Sequence, residues 1–241
     1  MKINKLYNIF YEKLPIDEAS LMPVYEETKL VTFLNPYYMV KLNEEDYFLY
    51  KQFDYIGSDG IGPIVLNRLF GKPKSTRFSF DMSSIAGNVL QDIRDNKKKV
   101  YILGAKEGEI ERSITTIENN FDGIEIAGYH HGYFKGYEND IIKEIIDSNA
   151  NVAIIGMGAP IQDKMAIKLK EYGFVGTVYT CGGFIHQTTS SIMTYPKWVN
   201  KLQLRAIYRI LTQKGMLKRL IETYPKFLIT YPVFLIFGLK R

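Results

Sequence analysis

Val152-Ala153-Ile154-Ile155-Gly156-Met157-Gly158-Ala159-Pro160-Ile161-Gln162 is the stretch whose reading decides the fold. Its first four residues are apolar and mostly β-branched, a run of strand length that stops at a glycine. Gly156 and Gly158 then allow a tight turn. Pro160 fits the first turn of a helix, where a missing N–H costs nothing. An amphipathic pattern continues to residue 172, so the stretch reads as one strand, one turn and one helix.

The same rhythm extends to both sides. Val100-Tyr101-Ile102-Leu103, Ile124-Glu125-Ile126-Ala127 and Thr177-Val178-Tyr179-Thr180 are further strand-length runs. Helical patterns cover residues 109–120 and 139–148, with Ile141, Ile142, Ile145 and Ile146 on one face and Asn139 as the expected N-cap. Alternation of this kind predicts a Rossmann-like α/β fold, a mostly parallel sheet with helices on both faces. Right-handed crossovers bring the strand C-termini to one edge, where the ligand crevice of such sheets lies. The loops expected there are 104–106, 129–134, 156–162 and 182–187. In the N-terminal third, residues 30–34 and 53–56 read as strands, the first broken by Asn35-Pro36, and 61–70 and 84–95 as helices. We expect residues 1–196 to form one α/β domain and 197–241 a basic helical appendage.

Charge separates those two parts. The 241 residues carry +5 overall, but residues 197–241 hold ten Lys and Arg against Glu222 alone, a net +9. The body is therefore −4, and its tail is suited to an anionic surface, either membrane or nucleic acid. Tyr208, Tyr224, Phe227, Tyr231, Phe234 and Phe237 interleave with the tail's cations, and the Phe234-Leu235-Ile236-Phe237 cluster favours lipid. The uncharged run 227–239 is interrupted by Pro232 and would span roughly 20 Å as a helix, short of a ~30 Å hydrocarbon core. A single cysteine, Cys181, excludes a disulfide scaffold, and average apolar content excludes disorder. With no secretory signal read at the N-terminus, a cytoplasmic protein peripheral at the inner membrane face is expected.

Several residues invite a chemical reading. The Gly156-to-Gln162 turn suits a phosphate held by backbone N–H groups and a helix N-terminus, or is simply a tight βα turn. Asp59, in Ser58-Asp59-Gly60-Ile61-Gly62, stands at a strand end, where it either accepts a proton from a substrate hydroxyl or caps the following helix. His130 and His131, if extended, point to opposite faces and make a poor metal clamp. No Asp-x-Asp triplet occurs, so no carboxylate clamp for a nucleotide-bound cation is expected, and protein cations must meet the charge of any departing pyrophosphate.

Taken in order, these stretches resemble the WecG/TagA/CpsF family of bacterial glycosyltransferases. The resemblance is carried by Thr32-Phe33-Leu34-Asn35-Pro36, Ser58-Asp59-Gly60-Ile61-Gly62, Tyr101-Ile102-Leu103-Gly104, His131-Gly132-Tyr133-Phe134, Gly156 to Asp163, and Tyr208-Arg209. It implies an inverting, metal-independent, membrane-associated transferase, with no cofactor. Such an enzyme moves an N-acetylmannosamine-type or related sugar from a UDP-sugar to a polyprenyl-diphosphate-linked acceptor for cell-surface polysaccharide. By resemblance Asp59 is the general base, and Thr32, Asn35, Arg77 and Gln162 line the substrate pocket. Gly104, Gly132, Tyr133, Gly156, Gly158, Pro160 and His186 hold the donor nucleotide, and Arg205, Arg209 and Arg219 bind diphosphate. The implied partners are the two substrates, an anionic membrane and further copies of the chain, with no nucleic acid.

The sequence departs from the family pattern at four places. Ile185-His186 replaces a Phe-Asp pair, and Leu204-Arg205-Ala206 replaces Leu-Glu-Trp. Lys214-Gly215-Met216 stands where Pro-x-Arg is usual, and Gln162-Asp163 where Gln-Glu is. Two competing readings follow from the altered donor pocket and the basic tail: a non-catalytic nucleotide-sugar-binding subunit, and a nucleic-acid binder.

Overall fold

The computed structural model describes residues 3–72, 74–189, 192 and 216–238. Six strands form one parallel sheet in the order β2-β1-β6-β5-β3-β4. They are β1 (Lys29–Leu34), β2 (Tyr55–Ser58), β3 (Lys99–Gly104), β4 (Glu125–His130), β5 (Val152–Gly156) and β6 (Thr177–Thr180). The inner strands β5 and β6 are buried throughout, which is why they read as unbroken apolar runs rather than as an alternation. β4 lies at one edge and is half-exposed.

Helices cover both faces. On one side lie α5 (Ala86–Asp95), α6 (Glu109–Asn120) and the short α9 (Phe184–Gln187), packed through Val89, Ile93, Ile110, Ile114, Ile117 and Phe184. The other side carries α1 (Ile3–Glu12), α2 (Pro36–Lys41), α3 (Glu44–Tyr47), α4 (Gly62–Leu69), α7 (Glu138–Asp147), α8 (Ile161–Glu171) and α10 (Met216–Phe237). α6 leaves β3 on the first face and α8 leaves β5 on the second. The chain therefore diverges between these adjacent strands, the switch point where open α/β sheets take ligands.

Some local expectations change. α7 begins at Glu138 with Tyr137 as its N-cap; Asn139 instead accepts a hydrogen bond from the Tyr172 hydroxyl at 3.2 Å. Asn35 does end β1, but it also caps a helix that the pattern did not predict. Its Oδ1 accepts from the Tyr38 N–H at 3.1 Å, and Pro36 fills the first turn of α2. α1 and α3 were likewise absent from the sequence reading.

The C-terminal helix departs most from expectation. It is 22 residues long and runs through both Pro225 and Pro232. By length and composition Leu220–Phe237 suffices to cross a membrane. Yet Phe227, Tyr231, Phe234 and Leu235 are buried in the same core cluster as Tyr7 and Phe10. Their spacing of four, three and one places them on one helix face. The Tyr7 and Tyr231 rings meet edge to face at 5.0 Å, and the Tyr7 hydroxyl bonds Thr230 at 2.8 Å. The helix thus closes the α1-α2-α4 side of the body.

The strand ends at the switch point need glycine. A Cβ on Gly104 would stand 2.3 Å from the Gly156 carbonyl oxygen, and Gly104 has φ +146°. Gly156 in turn leaves no room beside Cys181 and Gly182. Gly123 also has a positive φ, +80°, but nothing within 4 Å. Gly104→Ala is expected to lower stability by more than about 2 kcal/mol and Gly123→Ala by about 1 kcal/mol, measured by urea denaturation.

Candidate functional site

Asp59 follows β2 directly. Its backbone N–H bonds the Leu34 carbonyl at 2.9 Å, continuing the pairing with β1. The Ser58 hydroxyl bonds the Gly60 carbonyl at 2.9 Å and, with Gly60 at φ +142°, bends the chain sharply before α4. Ile61 is the N-cap of α4, and no side chain caps it. Asp59 is therefore not a helix cap. It is half-buried, and its Oδ2 accepts from the Asn35 amide at 3.4 Å. One Asn35 side chain thus starts α2 through its oxygen and orients Asp59 through its nitrogen.

Glycine turns gather further along the same sheet edge. The Gly132 N–H bonds the Ala105 carbonyl at 2.9 Å, so the loops after β3 and β4 touch. Gly132 also packs against Met157 and Gly104, which brings in the loop after β5. Beside them Lys106, Glu107, His131 and Tyr133 line an open depression of about 410 Å³. The Tyr38 hydroxyl, one turn into α2, lies 3.6 Å from where a Cβ on Gly158 would sit. α2 therefore links the Asp59 turn to the glycine turns. At ~4.8 Å per strand, the ends of β2 and β5 are three steps or roughly 14 Å apart.

Other named residues hold this edge together from within. Gln162 is buried, and its Oε1 accepts from the N–H groups of Gly158 at 3.0 Å and Gly182 at 3.2 Å. It ties the turns after β5 and β6 to each other, and the Gly158 N–H expected to meet a phosphate is already spent on it. Pro160 stands at the N-cap of α8. Thr32 is fully buried, and its hydroxyl bonds Asp163 at 2.6 Å and Thr180 at 2.7 Å, so it does not line an open pocket. The reason is position along the strand: Thr32 lies inside β1, two residues short of its end and between β2 and β6, whereas Asn35 stands just past that end. Arg77 is also engaged elsewhere, paired with Asp81 at 2.9 Å within its own loop.

His186 is exposed, and its Nδ1 lies 3.2 Å from the Glu109 carboxylate at the start of α6. His130 and His131 do not diverge as expected, because the strand stops at His130. Their rings are 4.3 Å apart, with each Nδ1 engaged locally, His130 with the His131 carbonyl and His131 with the Tyr133 N–H. Among the described residues, no three His, Cys, Asp or Glu side chains gather as a metal site. Arg205 and Arg209, and the side chain of Arg219, lie outside the described residues.

The sequence reading names Asp163 in the Gln162-Asp163 pair but gives it no role. It is fully buried on α8, held by Thr32 from β1 and by the Tyr50 hydroxyl at 3.1 Å, with Asp46 nearby. Burial pushes its carboxyl up to about 6, while the two hydroxyl donors hold it down. Its sequence signals are the proline turn before it and its place in the Gln162-Asp163 pair; a helical acid otherwise reads as solvated.

A parallel sheet with a carboxylate and glycine turns along its carboxyl edge has the layout of the α/β enzymes, whose ligand crevice lies outside the strand C-termini. The chain belongs to the WecG/TagA/CpsF family of glycosyl transferases, whose model matches residues 8–237. It is thus a glycosyltransferase, and the reading as a non-catalytic subunit falls. It is 36% identical over 207 residues to the UDP-Gal:alpha-D-GlcNAc-diphosphoundecaprenol beta-1,4-galactosyltransferase of Shigella boydii, covering 85% of this chain and 86% of the relative. It also resembles the N-acetylglucosaminyldiphosphoundecaprenol N-acetyl-beta-D-mannosaminyltransferases of Bacillus spizizenii and Bacillus subtilis. Identity there is 27% and 25%, over 80% and 78% of this chain and 70% and 73% of theirs.

Because the folded Asp163 binds its proton more tightly than an unfolded one at 3.8, its contribution to stability is fully present below that pH. It declines as pH rises to about 6, by on the order of 3 kcal/mol. Asp163→Asn is expected to remove that decline, read from urea midpoints on either side of the interval.

Proposed function

We propose that this chain transfers a hexose from a UDP-sugar to an N-acetylglucosamine carried on polyprenyl diphosphate, with inversion and without a metal ion. The observation that carries this reading is the half-buried Asp59, oriented by the Asn35 amide at 3.4 Å rather than by capping its helix. Asp59 takes the proton from the acceptor hydroxyl, whose oxygen attacks the anomeric carbon. The bond from that carbon to the donor diphosphate breaks, and UDP leaves with the electron pair. Attack opposite the departing group turns an α-linked donor into a β-linked product.

The spacing along the edge supports this. A base, a ribose, two phosphates and a hexose in line fill the roughly 14 Å from the β5 turn to Asp59 and the depression beyond it. We assign the nucleotide to the Lys106, His131 and Tyr133 end and the sugar to the Asp59 end. Lys106 and the tail arginines Arg205, Arg209 and Arg219 neutralise the diphosphates. Gln162 acts by fixing the Gly158 and Gly182 turns. The named relatives supply the substrate classes: one takes UDP-Gal, and all act on undecaprenol-diphosphate GlcNAc. The higher identity to the galactosyltransferase makes UDP-galactose the first donor to test. Such an acceptor places the enzyme against a membrane.

Asp59→Asn is expected to keep the wild-type melting curve while losing about 10²–10⁴-fold in kcat. Mass spectrometry of product from UDP-galactose and a short-chain GlcNAc-diphosphate lipid reads this out. Near-wild-type turnover in that variant would remove Asp59 from the mechanism.

A further inference from the structure

α4 starts one residue beyond the Asp59-Gly60 bend and buries Ile64 and Asn67 on its inner side. Its outer side is apolar. Ile61, Val65 and Leu69 follow at intervals of four, and Leu69 is 74% exposed. Phe70 extends this row past the helix end. α10 lies alongside, with Phe227 near Gly62 and the Tyr231 hydroxyl donating to Asn67 Oδ1 at 3.0 Å. Its own outer side exposes Leu217, Ile221, Leu228, Ile229, Ile236 and Phe237. Both helices bury their inner sides in one core cluster, so both apolar rows face outward from the same layer.

We propose that the outer faces of α4 and α10 form one bilayer-contacting surface, in which the α4 row Ile61-Val65-Leu69 sets the catalytic carboxylate close above the lipid headgroups. The inference rests on the reading that the acceptor is membrane-bound. Charge favours an anionic bilayer as the occupant. The two helices carry Arg68, Lys218, Arg219 and Lys226 against Glu222, and Glu222 lies 3.8 Å from Lys41 and Lys218. Apolar rows flanked by cations are what an interfacial helix presents to a leaflet. Protein–protein interfaces are instead depleted in lysine, which this surface exposes at Lys218 and Lys226.

Geometry gives the surface its use. Ile61 is two residues from Asp59, so their Cα atoms are at most about 7 Å apart. The row from Ile61 to Leu69 extends about 12 Å further along the helix. An acceptor hydroxyl separated from its lipid by one sugar and a diphosphate must be met near the headgroup plane. A base tied to a membrane-seated helix stands at that height.

The test uses the full chain and vesicles of mixed phosphatidylglycerol and phosphatidylcholine. Val65→Glu/Leu69→Glu is expected to weaken vesicle co-sedimentation at least tenfold and to cut transfer to a vesicle-embedded acceptor equally. Its melting curve and its turnover on a short-chain soluble acceptor should stay at wild type. Independently, Leu69→Cys labelled with an environment-sensitive fluorophore should shift to the blue on adding vesicles; Cys181 is buried and stays unlabelled. If the double variant does not fold, the fluorophore decides. Wild-type vesicle binding by a folded double variant, or no spectral shift at position 69, overturns the proposal. So does a change confined to oligomeric state, which would assign the surface to a second copy of the chain. If wild-type protein turns over neither acceptor, the transferase reading fails while both vesicle measurements still judge the surface.

Discussion

Four side chains without access to water fix how the two halves of the sheet edge sit. Asp163, on α8, receives hydrogen bonds from Thr32 and Tyr50, and Thr32 also bonds Thr180. Strands β1 and β6, helix α8 and the turn at Leu49–Gln52 are joined at one point. A buried polar group left unpaired costs on the order of 1–3 kcal/mol, so the arrangement holds as a set. Its position explains its reach. Gln162, the neighbour of Asp163, clasps two glycine turns, while three residues beyond Thr32 Asn35 orients Asp59. The glycine turns after β5 and β6 and the Asp59 turn after β2 are thereby referenced to the same buried carboxyl.

At one of the departures from the family pattern, His186 of α9 is exposed and its Nδ1 lies 3.2 Å from the Glu109 carboxylate, which also accepts from the Lys106 backbone N–H at 3.3 Å. A solvent-facing pair of this kind contributes less than about 1 kcal/mol to stability.

Legibility in the sequence followed burial. β3, β5 and β6 are covered on both faces, so their apolar runs carry enough signal alone, and α6 matches its periodic pattern residue for residue. The six-strand order was hidden, since β1 pairs with β6 across almost 150 residues and no local pattern encodes that. α2 and α3 escaped because six and four residues are too few to show a helical period, and α1 because its buried Leu6, Tyr7, Ile9 and Phe10 also suit a strand. The motif resemblance puts Thr32 in the pocket, whereas its place inside β1, a strand buried on both faces, puts it in the core. The aromatic tail was read from composition as lipid-seeking. Its intervals of four and three at Phe227, Tyr231 and Phe234 already described a face meant for the protein's own interior.

That docking has a consequence for how the molecule comes into being. Tyr7 and Thr230, bonded at 2.8 Å, are 223 residues apart in the chain. During synthesis, α1 leaves the ribosome with Tyr7 and Phe10 uncovered, and their cover arrives only after every strand has been made. Contacts of such long range are slow to form, and uncovered aromatic surface invites capture by other sticky surfaces meanwhile. The nascent enzyme therefore spends most of its birth with a greasy flank open, and the clasp that ends this interval is α10, among the last parts of the chain to be made.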